Sequence, residues 1–355
     1  MSLLFSPITV GPITVRNRAW LSPMCQYSCE ERDGMPNDWH LEHLTSFARG
    51  GVGIAMTEAA AVAPEGRISP HDAGIWNDAQ AEAWTPIVDR IRAHGATPAI
   101  QLAHAGRKAS THRQWSGAGS VPLAEGGWQT LGPTEQAFGD LAAPRAMSDA
   151  EIEQVVADFG AAAARSARAG FEVLEVHAAH GYLIHQFLSP LTNTRDDRWG
   201  DLTLLLRRVV EAVAAAAPEA AVMVRFSAHD WVPGGIDAAM AAEFARVAVE
   251  AGAHAIDVSS GGLDPRQQIT VGPGYQVPLA RAVRDAVEVP VNAVGMITDA
   301  GQAEKILADG DADAVMLARE LLRNPHWALL AEAALDGVPG GSVWPDQYAR
   351  ARPRQ

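Results

Sequence analysis

The feature of this 355-residue chain that most limits its fold is an alternation: apolar runs of strand length recur between longer stretches of helical period. The strand-like runs are Arg18–Pro23, Val52–Ala59, Thr97–Leu102, Phe171–Val176, Ala221–Phe226, Ala255–Val258, Val289–Val294 and Ala314–Leu317. A helical pattern follows each of them, in turn Asp38–Arg49, Asp78–Ala93, Asp149–Ala169, Leu202–Ala216, Ala238–Ala251, Pro278–Val287, Ala300–Ala308 and Asn324–Ala334. Parallel neighbours need a helical crossover, so eight strand–helix units predict an α/β fold of TIM (β/α)8 barrel type. A doubly wound sheet is the competing architecture, but the first run lacks the G-x-G-x-x-G turn with which that fold holds a dinucleotide. Ser148 and Glu151 have the spacing of a capping box, and Gly95, Gly170, Gly252 and Gly310 stand where helices should stop. Phe5–Asn17 is then an N-terminal segment capping the barrel. Residues 105–147, rich in Gly, Pro and Trp, are too long for an ordinary connection and form a lid after the third strand, with Trp115 and Trp128 as packing residues. No linker divides the chain, so residues 1–355 are expected as one domain with a C-terminal tail at 336–355.

Charge and cysteine content remove several classes of function. Asp and Glu number 42 against 28 Lys and Arg, a net charge of −14 that repels phosphate backbones and anionic lipid, so neither nucleic acid nor a membrane is an expected partner. No apolar run is long enough to cross a bilayer, and the first residues lack the basic start and apolar middle of a secretory signal; the expectation is a cytoplasmic protein. The two cysteines, Cys25 and Cys29, are too few for a disulfide scaffold, an iron–sulfur cluster or a four-thiolate zinc site.

Barrels of this kind carry their chemistry at the carboxyl ends of the strands, and unusual polar residues gather at those positions. Ser22-Pro23-Met24-Cys25 follows strand one, Glu58-Ala59 closes strand two, Gln101 and His104 close strand three, and His177 with His180 close strand four. Arg225 lies in strand five, Ser259-Ser260-Gly261-Gly262 follows strand six, Gly295 ends strand seven, and Arg319 ends strand eight. Gly295 and Arg319 suit a phosphate, since glycine admits backbone N–H groups and arginine neutralises charge. Alone, Arg319 is as readily an ion-pair partner of Glu320 or Asp313. Arg225 points toward a largely apolar barrel centre and needs an anion, which a cofactor that becomes anionic would provide. His177 and His180 read as a zinc pair, as satisfied structural histidines, or as donors to a carbonyl oxygen; with Tyr182 two residues on, the last reading gains a proton donor. Zinc lacks the H-x-H pair after strand one that hydrolase barrels use, and no metal ligand set is assigned. Schiff-base chemistry would need a lysine at a strand end, whereas the only lysines are Lys108, in the long loop, and Lys305, on a helix.

Taken in order, the motifs resemble those of the old yellow enzymes, flavin-dependent ene-reductases, and in particular their bacterial branch with a cysteine beside the flavin. The carriers are Arg16-Asn17-Arg18, Ser22-Pro23-Met24-Cys25-Gln26-Tyr27, Pro64-Glu65-Gly66-Arg67-Ile68, Gln101 through Lys108, His177-Ala178-Ala179-His180-Gly181-Tyr182-Leu183, Ser189-Pro190-Leu191, Pro273 through Val277 and Arg319-Glu320-Leu321-Leu322. The resemblance implies non-covalent FMN, with Ser22, Pro23, Met24, Cys25 and Ala59 along the ring, Gln101 at its pyrimidine edge, Arg225 where charge gathers on reduction, and Gly295, Ala318 and Arg319 at the phosphate. It implies that NADPH or NADH reduces the flavin and that an α,β-unsaturated carbonyl compound reoxidises it. His177 and His180, with Tyr27 assisting, would bind the carbonyl oxygen, Tyr182 would protonate the α-carbon, and Cys25 would tune the flavin and touch substrate. The segment Gln347-Tyr348-Ala349-Arg350 matches one that carries an arginine into the neighbouring subunit's site, which implies a homodimer, or a tetramer of dimers, with shared sites. Family members usually carry Gly where Ala318 stands, and the turn at Trp199–Thr203 is shorter than theirs. Two other readings stay open: a flavin-binding redox sensor acting through Cys25, and a metal-dependent barrel hydrolase built on His177, His180 and His185.

Overall fold

The structure is a computed structural model that describes residues 2–337 and 342–353; the rest of the tail expected over 336–355, and Met1, lie outside the described residues. The chain opens with an antiparallel hairpin of β1 (Ile8–Val10) and β2 (Ile13–Val15), followed by β3 (Ala19–Leu21), α1 (Asp38–Arg49), β4 (Ile54–Ala61), α2 (Asp78–Ala93) and β5 (Thr97–Ala103). Residues 104–148 then hold only short 3-10 turns and the two-residue strands β6 (Leu131–Gly132) and β7 (Arg145–Ala146). Next come α3 (Asp149–Ala169), β8 (Val173–Ala178), α4 (Leu183–Leu188), α5 (Leu204–Ala216), β9 (Ala221–Ser227), α6 (Ala238–Glu250), β10 (Ala255–Ser259) and α7 (Val277–Arg284). The last elements are β11 (Val291–Ala293), α8 (Ala300–Ala308), β12 (Ala314–Leu317), α9 (Arg319–Arg323) and α10 (Trp327–Asp336).

Eight of the strands pair in parallel in the order β3-β12-β11-β10-β9-β8-β5-β4. The two end strands meet, with the Gly53 amide donating to the Ala19 carbonyl at 2.8 Å just below β4. The result is the (β/α)8 barrel that the strand–helix count predicts. Alternate residues of each strand face inward. At the bottom these are apolar, among them Trp20, Ile54, Met56, Ala99, Val173, Met223 and Met316, and Ile8, Val10 and Val15 of the hairpin join that same cluster. The N-terminal segment therefore seals the barrel floor. One layer higher the inward residues turn polar: Gln101 stands beside Glu175, and Asp257 beside both Arg225 and Asn292. The helices pack on the outside through a second and larger apolar core. Ile152, Val155, Val156, Phe159, Ala162 and Ala163 of α3 recur at helical spacing on its buried face. Ser148 and Glu151 cap α3 reciprocally, and Gly170 ends it at φ +95°, a region that costs a side chain energy.

Several boundaries differ from the sequence reading. β4 runs on to Ala61, so Glu58-Ala59 lies inside the strand; a register shift between Met56 and Ala59 marks a bulge there. The helix expected to start at Leu202 begins at Leu204, because the Asp201 carboxylate accepts from the Thr203 amide at 2.9 Å and holds a turn. The single last helix over Asn324–Ala334 is instead α9 and α10, separated at Asn324-Pro325, where proline disfavours helix in the residue before it.

Candidate active site

The segment after β3 leaves the barrel as extended loop, and a carboxylate underneath fixes its path. Glu58, turned by the β4 bulge and almost fully buried, accepts from the Gln26 amide at 2.8 Å and from the Tyr27 amide at 3.4 Å. Its other oxygen lies 3.1 Å from His40 Nε2 on α1. Glu58 thus holds Ser22 through Tyr27 against the strand, a role the sequence reading missed because only the bulge turns its side chain that way. Tyr27 itself sits at φ +51°, outside the ordinary β and α regions. Cys25, Tyr27, Tyr182 and Trp128 pack around Ile68, Ala105 and Ala109 to give one wall of the mouth. Burial, with the Asp72 and Glu58 carboxylates nearby, pushes the Cys25 thiol well above its usual range. Burial likewise raises the Tyr27 and Tyr182 phenols.

The segment after β8 that supplies Tyr182 to that wall also brings the histidines beside it. The rings of His177 and His180 are 5.2 Å apart and edge to face, and the Tyr182 ring is 5.0 Å from His177. His177 Nδ1 accepts from the Ala179 amide at 3.3 Å, which leaves the proton on Nε2. His180 Nε2 is 2.7 Å from Ser259 Oγ on β10, a partner that sequence spacing did not reveal. Burial first, and the Arg225 charge second, hold both imidazoles well below their ordinary value, so both are neutral at pH 7. The third histidine of the hydrolase reading, His185, faces elsewhere: its Nε2 is 2.8 Å from Asp230, and its Nδ1 accepts from the Gly181 amide at 2.8 Å. Among the described residues no three His, Cys, Asp or Glu side chains are grouped to hold a metal ion. His104, also buried, is pushed down to about 4 by desolvation and accepts from the Gly106 amide.

Lys108 belongs to this site although its sequence position put it in a loop. Its ammonium donates to the carbonyls of His180 and Gly262, both at 2.8 Å, and lies 5.2 Å from the centre of the Tyr182 ring. Burial lowers it to about 8. Of the two tryptophans in the long connection, Trp128 donates from its indole to the Glu65 carbonyl at 2.8 Å, while Trp115 stands exposed and edge-on to Tyr27 at 6.0 Å.

Beneath the rim the polar layer accounts for Arg225 differently from the sequence reading. The anion that matches its guanidinium is the protein's own Asp257, whose Oδ2 is 3.0 Å from Arg225 Nε, and Arg225 Nη2 donates to Ser22 Oγ at 3.1 Å. Gln101 donates from Nε2 to Glu175 Oε1 at 2.6 Å, and Asn292 donates to Asp257 Oδ1 at 2.7 Å.

Beside this layer a cavity of about 560 Å³ opens between the ends of β3, β10, β11 and β12. Ser22, Pro23, His180, Arg225, Gly295, Ala318 and Arg319 all line it. Neither carboxylate weighed as a partner for Arg319 takes that role: Asp313 pairs with Arg284 and Glu320 with Arg323. Gly295 sits at φ +126°, and a Cβ there would lie 2.8 Å from Gln276 Nε2 and 3.1 Å from the Tyr275 ring. Ala318 stands at the N-cap of α9 with φ −112° and ψ −99°. An exposed arginine with no carboxylate partner among the described residues, a glycine that side chains crowd, and a polar layer at the inner end suit an elongated ligand with a phosphate at one end and a hydrogen-bonding ring at the other, as FMN is. Met24, Cys25, Ala59 and Gln101 do not line this cavity: Met24 and Cys25 lie in the loop after β3, Ala59 in β4 and Gln101 in β5. Arg350 is exposed in the C-terminal 3-10 turn Asp346–Ala351, where Tyr348 packs on His326.

A model of the NADH:flavin oxidoreductase / NADH oxidase family matches residues 3–336. The NADPH dehydrogenase of Geobacillus sp. (strain WCH70) is 40% identical over 353 residues, 98% of each chain. Morphinone reductase has a TM-score of 0.78 at 26% identity, over 96% of this chain and 93% of its own. A 2-naphthoyl-CoA reductase bound to 2-naphthoyl-CoA has a TM-score of 0.84 at 24% identity, which is a likeness of fold; it covers 96% of this chain, which spans only 53% of that longer one. The chain belongs to the NADH:flavin oxidoreductase / NADH oxidase family and is an oxidoreductase of old yellow enzyme type, with FMN as its flavin and a reduced nicotinamide nucleotide as its donor.

Proposed function

We propose that this enzyme reduces the activated C=C bond of α,β-unsaturated carbonyl compounds, with NADPH or NADH as donor and Tyr182 as the acid. The observation that carries the reading is the pairing at the end of β8 of a free neutral N–H on His177 with a protonated phenol on Tyr182, their rings 5.0 Å apart. Bound FMN supplies the two-electron carrier that takes hydride from the nicotinamide and passes it to the β-carbon. Ser22 through Cys25, Ala59, Gln101 and Arg225 would hold its ring, and Gly295, Ala318 and Arg319 its phosphate. His177 Nε2–H donates to the carbonyl oxygen where negative charge gathers. Ser259, donating to His180 Nε2, would put that imidazole's proton on Nδ1 as a second donor. Neutral donors in a dry site stabilise an oxyanion without giving up their protons early. Tyr182, raised by burial, keeps its proton until the α-carbon carries charge and then delivers it. Tyr27, on the same wall as Tyr182, assists at the oxygen, and Cys25 packs beside ring and substrate.

A thiol held protonated is a poor sensor of oxidants, since the thiolate is the reactive form; that favours the reductase over the redox-sensor reading. The engagement of His185 by Asp230 speaks against the metal-hydrolase reading. Around this site we read one domain from 1 to 355, with residues 105–147 as its lid, a cytoplasmic location, and a homodimer in which Arg350 completes the neighbouring site. Among the described residues no helix is long and apolar enough to cross a membrane. The test is one cuvette: the purified protein should be yellow, bleach on anaerobic NADPH, and regain colour with cyclohexenone. A protein that stays colourless after incubation with FMN defeats the proposal, and one that bleaches without recovering under the enone loses the substrate class.

A further inference from the structure

The two side chains that the proposed function sets against the pyrimidine edge of the flavin, Gln101 and Arg225, are joined behind it by two buried carboxyls. Gln101 donates to Glu175 Oε1 at 2.6 Å, and Arg225 pairs with Asp257 Oδ2 at 3.0 Å. Glu175 and Asp257 also bond to each other, and both are fully buried. Glu175 Oε2 and Asp257 Oδ2 nevertheless receive no well-aligned N–H or O–H from any other described residue. Two buried carboxyl oxygens in contact, with no donor between them, demand a proton. The charge count gives the same result: one guanidinium is present for two carboxyls, and a second uncompensated anion in the barrel centre is strongly disfavoured. Asn292 donates to Asp257 Oδ1 at 2.7 Å and Arg225 stands beside it, so Asp257 is the member that ionises and Glu175 the one that keeps the proton. Burial and the Asp257 charge push Glu175 well above the usual carboxylate range, in agreement.

Resting on the flavin-dependent reading above, we propose that Glu175 and Asp257 are positioning residues that share one proton and close a hydrogen-bonded circuit behind the flavin's pyrimidine edge. Gln101 spends its N–H on Glu175, so its amide is fixed with the carbonyl oxygen turned to the ring, where it accepts from a ring N–H. Arg225 spends part of its charge on Asp257, so the ring meets a half-neutralised cation. Reduction by two electrons and one proton adds one negative charge to the ring, and the circuit therefore sets how strongly the protein favours the reduced form.

The experiment is a measurement of the FMN midpoint potential in the wild-type holoenzyme and two isosteric variants, with circular dichroism as the check on folding. Asp257→Asn removes the anion that holds Arg225 back; the reduced-to-oxidised ratio at a fixed poise should rise at least tenfold, about 30 mV for a two-electron couple. Glu175→Gln imitates the protonated acid, accepting from Gln101 and donating to Asp257, and should leave that ratio within about twofold. If Glu175→Gln raises the ratio as far as Asp257→Asn does, Glu175 is ionised and the shared proton is refuted. If neither variant moves it, the pair only packs. Should Asp257→Asn fail to fold, the infrared difference spectrum of wild type on reduction decides: a protonated-carboxyl band that vanishes in Glu175→Gln is expected, and its absence in wild type overturns the proposal. Failure of the flavin reading would show separately, as wild-type protein that binds no FMN.

Discussion

At the scale of single residues, the site divides into side chains that announce themselves and side chains that only the fold recruits. His177, His180 and Tyr182 were legible because they fall within six residues at and just beyond one strand end, where a short motif is also a short distance. Cys25 and Tyr27 were legible for the same reason. Glu58 and Ser259 were read only as polar residues at strand ends, Lys108 only as a loop lysine and Asp257 not at all, because each meets its partner through a bulge, a loop return or a neighbouring strand, and sequence separation hides such contacts. Arg225 is the instructive case. The requirement for an anion was read from burial, but Asp257 was missed as a partner, since strand register between β9 and β10 was unknown until Asp257 appeared opposite. The proton-donor role proposed for Tyr182 has a clean consequence. Tyr182→Phe should slow reoxidation by an enone about 100-fold or more, the usual worth of a positioned general acid, while reduction by NADPH changes little. Stopped-flow absorbance of the two half-reactions measures both, and an equal slowing of both would show that Tyr182 only shapes the mouth.

Secondary-structure elements were more legible than their ends. Strand and helix existence follows from periodicity, which survives any tertiary context, whereas ends depend on single bonds such as that between Thr203 and Asp201 and on the proline at 325. The capping box of α3 was visible in full, because both partners lie within four residues. Ser148 Oγ accepts from the Glu151 amide, Glu151 accepts in return from the Ser148 amide at 2.8 Å, and Arg145 pairs with the same carboxylate. The Arg145 and Ser148 hydrogen bonds lower Glu151 to about 2 from its ordinary 4.5. A lowered carboxylate contributes stability that is complete above its unfolded value and lost as pH falls through its folded one. The thermal stability gap between wild type and Glu151→Gln should accordingly be constant above about pH 5 and shrink between pH 4.5 and 2. Ser148→Ala should cost about 1 kcal/mol in denaturant melts near neutral pH. A gap that widens toward acid would mean that Glu151 is stabilised as the acid instead.

For the whole molecule, the reading of a shared dimer site predicts an effect that no single chain can show. Arg350→Ala and Tyr182→Phe each impair a different subunit's contribution to one site. Mixed and allowed to exchange subunits, the two inactive variants should regain roughly a quarter of wild-type turnover, since half of the dimers are mixed and each has one intact site. No recovery, in a mixture whose sedimentation shows exchanged dimers, would confine Arg350 to its own chain. The closed barrel floor has a consequence for traffic. With Ile8, Val10 and Val15 of the hairpin joined to the apolar residues at the bottom and the polar layer above them, the site is a room with one door. Electron donor and electron acceptor must use that door in turn. Each is therefore an obstacle to the other: oxidised nucleotide that lingers excludes the acceptor, and excess acceptor excludes fresh nucleotide. The cell's ratio of the two sets the pace of this enzyme as directly as any residue at its rim does.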